Sequence, residues 1–510
     1  MNIAMTMSKP DLRHHLSSEV LSRKENPMKV VQRLSMRNSN MISLANGDPH
    51  FSLYPIRKVK FEVAPVSDEV EDPFMSWQNP NSPSISFSSS RSDISSKSLS
   101  SESIPLNAAL QYHGGTGSDV FVHAMEELTN YYHNPPNHKC LNTLGNMDGI
   151  VKCFRLLANP GDNILADEFA FGPPTNAALS QGINWVPVRI DKGGLIPSDL
   201  EKVLSDWDEE TKGRKPRVLY TVPCGQNPTG CTLNLQRRKE IYAIACKYDL
   251  VIIEDDPYYF LQYSDSDGDA VPSNLMPSFV SMDTEGRVIR VESCSKTIAP
   301  GMRLGWVVCS PMFYEHMLHL VESSAQFSHG FGQIFLSEMI LGPQGWGVLG
   351  FDRWVQSLRK EYQRRRDHFQ VIFDHEVAST GYASAEAPEA GMFLWIRIHL
   401  DEHPRFKLLP SRTADSKNGL IQGVPTIYGR KTNFLELMDE FFENCLNAGV
   451  VLTPSSVFAL PYESSLFNTD DPLEDRINYV RATFAGPYET MEPGLKIVGQ
   501  VLRDFFSSNE

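Results

Sequence analysis

The residue with the clearest chemical potential is Lys296, which follows closely on an apolar run ending at Val291. A lysine amine that can lose its proton forms a Schiff base with an aldehyde. Ser293, Ser295 and Arg303 lie near it in sequence and would suit a phosphate dianion, since arginine supplies forked hydrogen bonds. A surface lysine in a loop is the ordinary alternative, but this combination favours the chemical interpretation.

Asp256 and Tyr259 form a second candidate pair, just after the apolar run Leu250–Ile253. A carboxylate at the end of a buried strand needs a partner. The protonated pyridine nitrogen of pyridoxal 5′-phosphate (PLP) is such a partner, and that protonation makes the ring an electron sink. We expect Tyr259 to donate a hydrogen bond to the phenolate oxygen of the cofactor. An acidic turn with packed tyrosines is the alternative.

A helix start after Gly145 could bind phosphate. Asn146 and Met147 open an apparent helix, and the free N–H groups and positive dipole at a helix N-terminus attract anions. Nearby, Phe171 could stack on a pyridine ring, although a core aromatic is the alternative.

Asn227 and Arg481 are candidates for the substrate. Asn227 begins the turn Asn-Pro-Thr-Gly, and its amide would meet the phenolate oxygen beside the carboxylate of the substrate. A plain loop is the alternative. Arg481 is a single cation in an otherwise apolar strand, so it must meet a carboxylate, either that of the substrate or a structural acid.

The composition is that of a soluble globular protein. The chain has 510 residues, 41% of them hydrophobic and 21% charged, with a net charge of −15, which argues against nucleic acid or an anionic membrane as the main partner. The eight cysteines are scattered without a zinc spacing or a C-x-x-C pair, so we expect no metal, reduced thiols and a cytoplasmic location. The first 40 residues lack an apolar signal core, and their acids argue against a mitochondrial transit peptide without excluding one.

Short apolar runs alternate with helix-like stretches through the middle of the chain. This alternation predicts a mainly parallel sheet covered by helices, in an α/β fold. The expected buried strands are Asn163–Ala166, Trp185–Val188, Val218–Val222, Val251–Ile253, Val288–Val291 and Trp306–Cys309.

Four segments are expected along the chain. Residues 1–60 would form an N-terminal arm and part of a small domain, and 61–104 a serine-rich mobile insertion. Residues 105–365 would form the large PLP-binding domain, and 366–510 a smaller α+β domain. The smaller domain would contain strands Met392–Ile398 and Asn478–Thr483 and a helix at Phe434–Ala448.

These residues in this order resemble the class I, fold-type I PLP-dependent aminotransferases. Within that family the sequence is most similar to the fungal aromatic amino acid aminotransferases, relatives of the kynurenine/2-aminoadipate aminotransferases. The resemblance runs from about Pro27 to the C-terminus, apart from the serine-rich segment. It is carried by Tyr112, Gly145-Asn146, Phe171, Asn227-Pro228-Thr229-Gly230, Asp256-Pro257-Tyr258-Tyr259, Ser293-Cys294-Ser295-Lys296, Arg303 and Arg481.

The resemblance implies a homodimer that transfers an amino group from an L-amino acid, aromatic by analogy, to a 2-oxo acid such as 2-oxoglutarate. The mechanism would be ping-pong, with Lys296 as the Schiff-base lysine. Tyr112 would reach the phosphate site of the other subunit, and Gly47 would lie near the substrate. Ser455 stands where relatives have glycine and Cys294 where they often have phenylalanine, which leaves the exact substrate open.

Three alternatives remain at the level of sequence. A PLP-dependent carbon–sulfur β-lyase would keep Lys296 and Asp256 but release ammonia and pyruvate without an acceptor. A pathway-specific fungal enzyme of secondary metabolism would keep the transamination and change the substrate. A DNA-binding regulator with an aminotransferase-like body is disfavoured, because the first hundred residues lack a basic helix pair.

Overall fold

The computed structural model describes residues 9–36, 47, 49–90, 104–263, 275–413, 430–461 and 472–507. The chain divides into two compact units, each built from separate stretches of sequence. The first unit comprises Met1–Asn159, Val251–Phe260 and Asp269–Leu358, and the second comprises Pro160–Leu250, Leu261–Gly268 and Arg359–Glu510.

The described residues alternate between strands and helices. The strands are β1 Lys58–Val63, β2 Ile85–Ser90, β3 Lys139–Thr143, β4 Asn163–Asp167, β5 Asn184–Val188, β6 Ile190–Asp191, β7 Gly194–Leu195, β8 Val218–Thr221, β9 Val251–Asp255, β10 Val288–Ser293, β11 Gly305–Cys309, β12 Ala383–Ser384, β13 Phe393–Ile398, β14 Leu408–Thr413, β15 Arg430–Thr432, β16 Thr453–Pro454 and β17 Tyr479–Thr483. The helices are α1 Ser18–Ser22, α2 Pro27–Met36, α3 Pro73–Trp77, α4 Leu106–Ala109, α5 Asp119–Tyr132, α6 Asn146–Leu157, α7 Gly172–Ser180, α8 Pro197–Ser205, α9 Glu209–Lys212, α10 Leu235–Lys247, α11 Phe279–Met282, α12 Pro311–Glu322, α13 Gly330–Leu341, α14 Gly347–Glu376, α15 Phe434–Ala448 and α16 Tyr488–Ser507.

The first unit contains four neighbouring strands in the order β3-β11-β10-β9. β11 is antiparallel to both of its neighbours, β3 and β10, whereas β10 and β9 are parallel. Helices α5, α6, α11 and α12 pack on these strands. Helix α6 does so because Ile150, Phe154 and Leu157 share one face, and all three are buried.

The second unit contains the parallel strands β8, β4 and β5, with α7 and α8 against β5. It also contains an antiparallel sheet in the order β12-β13-β17-β16, together with the packed pair α15 and α16. The parallel strands β10 and β9 of the first unit and β8, β4 and β5 of the second, with helices packed on them, confirm the predicted α/β class. The expected buried strands and the helix at Phe434–Ala448 are all present, whereas β3 was not predicted.

The described start of the chain lies in the first unit. Leu16 and Val20 are buried there, and Arg155 of α6 pairs with Glu19. The expected division of the chain into four segments stays a prediction.

Two strands lie wholly or partly within the segment expected to be a serine-rich mobile insertion. β1 and β2 pair antiparallel, and the rings of Phe61 and Phe87 stack at 5.0 Å between centroids. Alternate serines of β2 face solvent, and Phe87 is buried on the other face. Residues 91–103 of the predicted insertion lie outside the described residues. Within the described part of the chain, no helix is both long and apolar enough to cross a membrane.

Candidate active site

Strand register brings three sequence motifs of the first unit to one edge of its strands. Ser293, the last residue of β10, pairs with Gly305, the first of β11, and Gly305 pairs with Thr143, the last of β3. The segments that follow Thr143 and Ser293, and the one that precedes Gly305, therefore leave the strands side by side. On the other flank of β10, Val291 pairs with Asp255, the last residue of β9.

Lys296 lies in the turn that follows β10 and is half-buried. The turn is fixed by its own backbone, since the N–H groups of Ile298 and Ala299 both donate to the carbonyl of Cys294, at 2.9 and 3.1 Å. The indole of Trp354 also donates to the carbonyl of Thr297 at 2.7 Å. Lys296 thus extends from a turn that hydrogen bonds hold in place, rather than from a surface loop without such bonds.

The start of α6 offers donors for an anion. Gly145 precedes the helix at φ +90°, and a Cβ at that position would lie 2.9 Å from Nη2 of Arg303. Glycine therefore permits the guanidinium to approach the helix start, where the first N–H groups have no partner within the helix. Arg303 itself is exposed, and its Nη2 donates to the carbonyl of Leu144 at 2.9 Å.

Two serine hydroxyls complete this group. Ser293 Oγ lies 2.8 Å from Ser295 Oγ and also accepts from the backbone N–H of Ser295 at 3.0 Å. The side chain of Asn146 donates to Asp255 Oδ1 at 2.5 Å. The backbone N–H groups of Asn146 and Met147 at the helix start are suited to an anion.

Asp256 follows β9 and is buried. Its Oδ2 accepts a hydrogen bond of 2.9 Å from Nη1 of Arg290, a side chain of β10 that was assigned no role from sequence. The ring of Tyr259 lies against the same guanidinium, 4.7 Å from ring centroid to carbon. The argument that identified Arg481 from sequence applies equally to Arg290, because each is a charged residue within an apolar strand.

The first unit also contains Tyr112 and Gly47, both exposed. The backbone N–H of Tyr112 donates to Gln111 Oε1, and Gln111 Nε2 donates to the carbonyl of Pro49, each at 2.9 Å. A Cβ placed on Gly47 would meet nothing within 4 Å. The roles expected of these two residues stay predictions.

The second unit brings Asn227 and Arg481 into direct contact. Arg481 Nη1 donates to Asn227 Oδ1 at 2.6 Å. The guanidinium carbon lies 4.4 Å from the ring centroid of Phe393 and 4.8 Å from that of Phe458, so two aromatic faces hold its plane. Phe171, the predicted stacking residue, caps the start of α7 and is half-buried.

The loop that carries Asn227 is braced on both sides. Gln226 Nε2 donates to the carbonyl of Phe169 at 2.6 Å, while Gln226 Oε1 accepts from the hydroxyl of Thr229 at 2.7 Å. At the start of the loop, a Cβ on Gly225 would lie 2.5 Å from Cα of Gly391. The loop can approach the segment before β13 this closely because both residues are glycines and have no side chain.

Ser455 and Cys294, the two departures from the family pattern, are both buried. The hydroxyl of Ser455 donates to the carbonyl of Ile477, shortly before β17. Burial raises the pKa of the Cys294 thiol to about 12, so this side chain stays neutral.

A cavity of about 880 Å³ also lies in the second unit. Thr229, Gly230, Trp395, Arg397 and Tyr479 are among its lining residues, but Asn227 and Arg481 are not.

The comparisons with known proteins agree with this geometry. A family model described as aminotransferase class I and II matches residues 102–486. The chain is 45% identical to the L-tyrosine:2-oxoglutarate aminotransferase atrD of Tapinella panuoides, over 98% of this chain and 97% of that protein. It is 30% identical to an aromatic amino acid aminotransferase of Schizosaccharomyces pombe, over 98% of this chain and 99% of that protein. The crystal structure of an aminotransferase from Candida albicans superposes with a TM-score of 0.82 at 31% identity, covering 98% of this chain and 99% of that one.

Proposed function

The chain belongs to the class I and II aminotransferases, and we propose that it transfers the amino group of an aromatic L-amino acid to 2-oxoglutarate with PLP as cofactor. The observation that carries the proposal is the convergence of Lys296, Asp256 and the α6 start at one edge of the strands β9, β10 and β3. A reactive amine, a carboxylate and an anion site are the three groups that PLP chemistry needs from a protein.

The donor set of the first unit fits PLP. The backbone N–H groups of Asn146 and Met147, with Ser293, Ser295 and Arg303, would hold its phosphate. The gap that Gly145 leaves beside Arg303 supports this, since a Cβ would close it. Asp256 would face the ring nitrogen and Tyr259 the phenolate oxygen, joined by Asn227. Phe171 would stack on the ring.

When bound, PLP supplies an electron sink for the charge left on the substrate Cα. The Nζ of Lys296 would hold the cofactor through its aldehyde carbon. The same amine would serve as the general base that removes the proton from the substrate Cα and as the general acid that returns a proton. Asp256 would keep the ring nitrogen of the cofactor protonated.

Arg481 would bind the α-carboxylate of the substrate through its forked N–H groups. Asn227 and the faces of Phe393 and Phe458 fix the guanidinium plane before substrate arrives, which reduces the ordering cost on binding. The preference for an aromatic amino acid is supported by the relatives that are named for tyrosine and aromatic amino acids.

The test is a coupled assay of the PLP-loaded protein with L-tyrosine or L-phenylalanine and 2-oxoglutarate, with glutamate as the measured product. L-Alanine and L-aspartate serve as matched non-aromatic donors, and Lys296→Ala as the inactive control. Glutamate formed faster from the aromatic donors supports the proposal. Pyruvate and ammonia formed from a cysteine conjugate without an oxo acid would instead indicate the β-lyase.

We also propose a homodimer and a cytoplasmic location. The exposed side chain of Tyr112 supports the dimer, because its hydroxyl is available to the phosphate site of a second subunit. Light scattering should give twice the monomer mass, and Tyr112→Phe should weaken PLP binding without changing that mass. Fluorescence microscopy of the tagged protein tests the location.

A further inference from the structure

Arg290 is fully buried and meets three carboxylates within the first unit. Its Nη1 lies 2.9 Å from Asp256 Oδ2 and 3.0 Å from Glu254 Oε1, and its Nε lies 2.6 Å from Glu292 Oε1. The parallel register of β9 and β10 creates this arrangement, since Arg290 pairs directly with Glu254. Glu292 follows on the same face of β10 because side chains alternate along a strand.

Neutral hydrogen-bond donors also contact two carboxylates of this cluster, which comprises Arg290 and its three acidic partners. His133 Nε2 donates to Glu292 Oε1 at 2.9 Å, and the Ser278 hydroxyl donates to His133 Nδ1 at 2.9 Å. Burial lowers the pKa of His133, which agrees with a neutral ring that donates at one nitrogen and accepts at the other. Glu254 accepts from the backbone N–H groups of Phe279 and Val280.

The guanidinium is the cation shared by these acids. Burial alone would raise the pKa of Glu292, but the charge of Arg290 and the hydrogen bond from His133 outweigh it and hold that pKa at about 2. Burial likewise raises the pKa of the nearby Cys140 and Cys294 thiols to about 12, so neither adds charge to the cluster. The ring of Tyr259 also lies against the guanidinium of Arg290.

We propose that Arg290 is a positioning residue that fixes the direction and the negative charge of the Asp256 carboxylate toward the ring nitrogen of PLP. The proposal rests on the proposed binding of PLP at this site. A guanidinium can direct Nη1 at Asp256 and Nε at Glu292 at once because its donors are rigidly forked, whereas a lysine ammonium is a compact point charge on a flexible stem. Asp256 is then held by the protein before the cofactor arrives.

The experiment compares the affinities of the apoprotein for PLP and for its carbocyclic analogue, in which C–H replaces the ring nitrogen. The variants are Arg290→Lys, which keeps the charge, and Arg290→Gln, which removes it. Arg287→Lys is the matched control, because Arg287 precedes the opposite end of β10 and pairs with Glu285. Affinity is measured by fluorescence quenching, and folding by circular dichroism and thermal melting.

Arg290→Lys should weaken PLP binding roughly 10- to 100-fold, the equivalent of one hydrogen bond to a charged group. Its affinity for the analogue should stay within about twofold of wild type, because the analogue makes no hydrogen bond to Asp256. Arg290→Gln should show at least as large a loss, again for PLP alone. Arg287→Lys should bind both compounds as wild type does.

Equal losses for both compounds, or no loss for either, would overturn the proposal. Failure of both Arg290 variants to fold would do so as well, since it would assign the residue to stability alone. A wild-type protein that binds no PLP would instead refute the proposed function, so the two failures are distinguishable.

Discussion

Arg481 of β17 donates a hydrogen bond of 2.6 Å to the side-chain oxygen of Asn227, whose loop precedes α10 by several residues. A residue proposed to bind the substrate is thus oriented by a residue proposed to bind the cofactor. The amide oxygen carries no net charge, so this contact orients the guanidinium of Arg481 but is not an ion pair. The forked N–H groups of a guanidinium suit a carboxylate.

Replacing Arg481 with lysine should raise KM for L-tyrosine and lower kcat/KM about 10- to 100-fold, since the forked pair of hydrogen bonds is lost. Steady-state kinetics with varied L-tyrosine checks this. Arg397→Lys, on the neighbouring strand β13 and half-exposed beside Asp401, is the control and should leave kcat/KM unchanged. Equal losses in the two variants would argue against a carboxylate role for Arg481.

Lys296→Ala should slow the half-reaction with L-tyrosine by at least about 10²- to 10⁴-fold, the usual contribution of a general acid–base group. Stopped-flow absorbance of the bound cofactor after mixing with L-tyrosine measures the rate. Lys247→Ala removes an exposed lysine that pairs with Glu201 and should react as wild type does. A Lys296→Ala protein that reacts at the wild-type rate would exclude the proposed role.

Gly225→Ala should lower the melting temperature more than Gly449→Ala. Both glycines have positive φ, which costs alanine roughly 1–2 kcal/mol at either site. At Gly225 the new methyl group would also lie 2.5 Å from a backbone atom of Gly391, whereas at Gly449 it meets nothing within 4 Å. Differential scanning fluorimetry of the two variants separates the steric cost from the conformational cost. Equal decreases in melting temperature would contradict the close approach of Gly225 to Gly391.

Asp167 should make the protein less stable as pH rises from about 4 to 7. Burial raises the pKa of this carboxyl to about 7, although hydrogen bonds from the backbone of Val222 and from Thr221 oppose the shift. The folded form therefore holds a proton that the unfolded form has lost. The stabilisation is fully present below the pKa of Asp167 in the unfolded chain and is lost as the pH rises through its pKa in the folded protein. This stabilisation amounts to at most about 4 kcal/mol.

Melting temperatures of wild type and Asp167→Asn at pH 5 and pH 8 measure this effect. The difference between the two pH values should be smaller in the variant. Asp191→Asn is the control, because Arg237 lowers the pKa of Asp191 and its pairing is complete across this range. An unchanged difference in Asp167→Asn would show that the carboxyl titrates normally.

The sequence was sufficient to predict the strands whose ends carry Lys296 and Asp256, because buried parallel strands appear as continuous apolar runs. It did not reveal Arg290 as a partner of Asp256, although the residue was visible within such a run. Pairing between β9 and β10 decides which side chains meet, and register between strands distant in sequence cannot be read from either strand alone.

Asn146 shows a second limit. The sequence predicted that a helix begins there, and α6 does begin at Asn146, whose N-terminal N–H groups follow from helix geometry. The direction of its side chain, which donates to Asp255, depends on the neighbouring strand ends and so on the tertiary structure. β2 shows a third limit, because its serine-rich composition does not indicate a strand, and its pairing with β1 depends on a segment distant in sequence.

The alignment of Thr143, Gly305 and Ser293 across β3, β11 and β10 has a consequence for how this enzyme can diverge. Substitutions along these strands change one side chain at a time. Loss or gain of a single codon between Val288 and Arg290 would turn Arg290 and Glu292 to the opposite face and move Lys296 along the strand direction by one residue. Selection should therefore tolerate changes of residue type in β10 far more readily than changes in its length, so that insertions and deletions among descendants accumulate elsewhere.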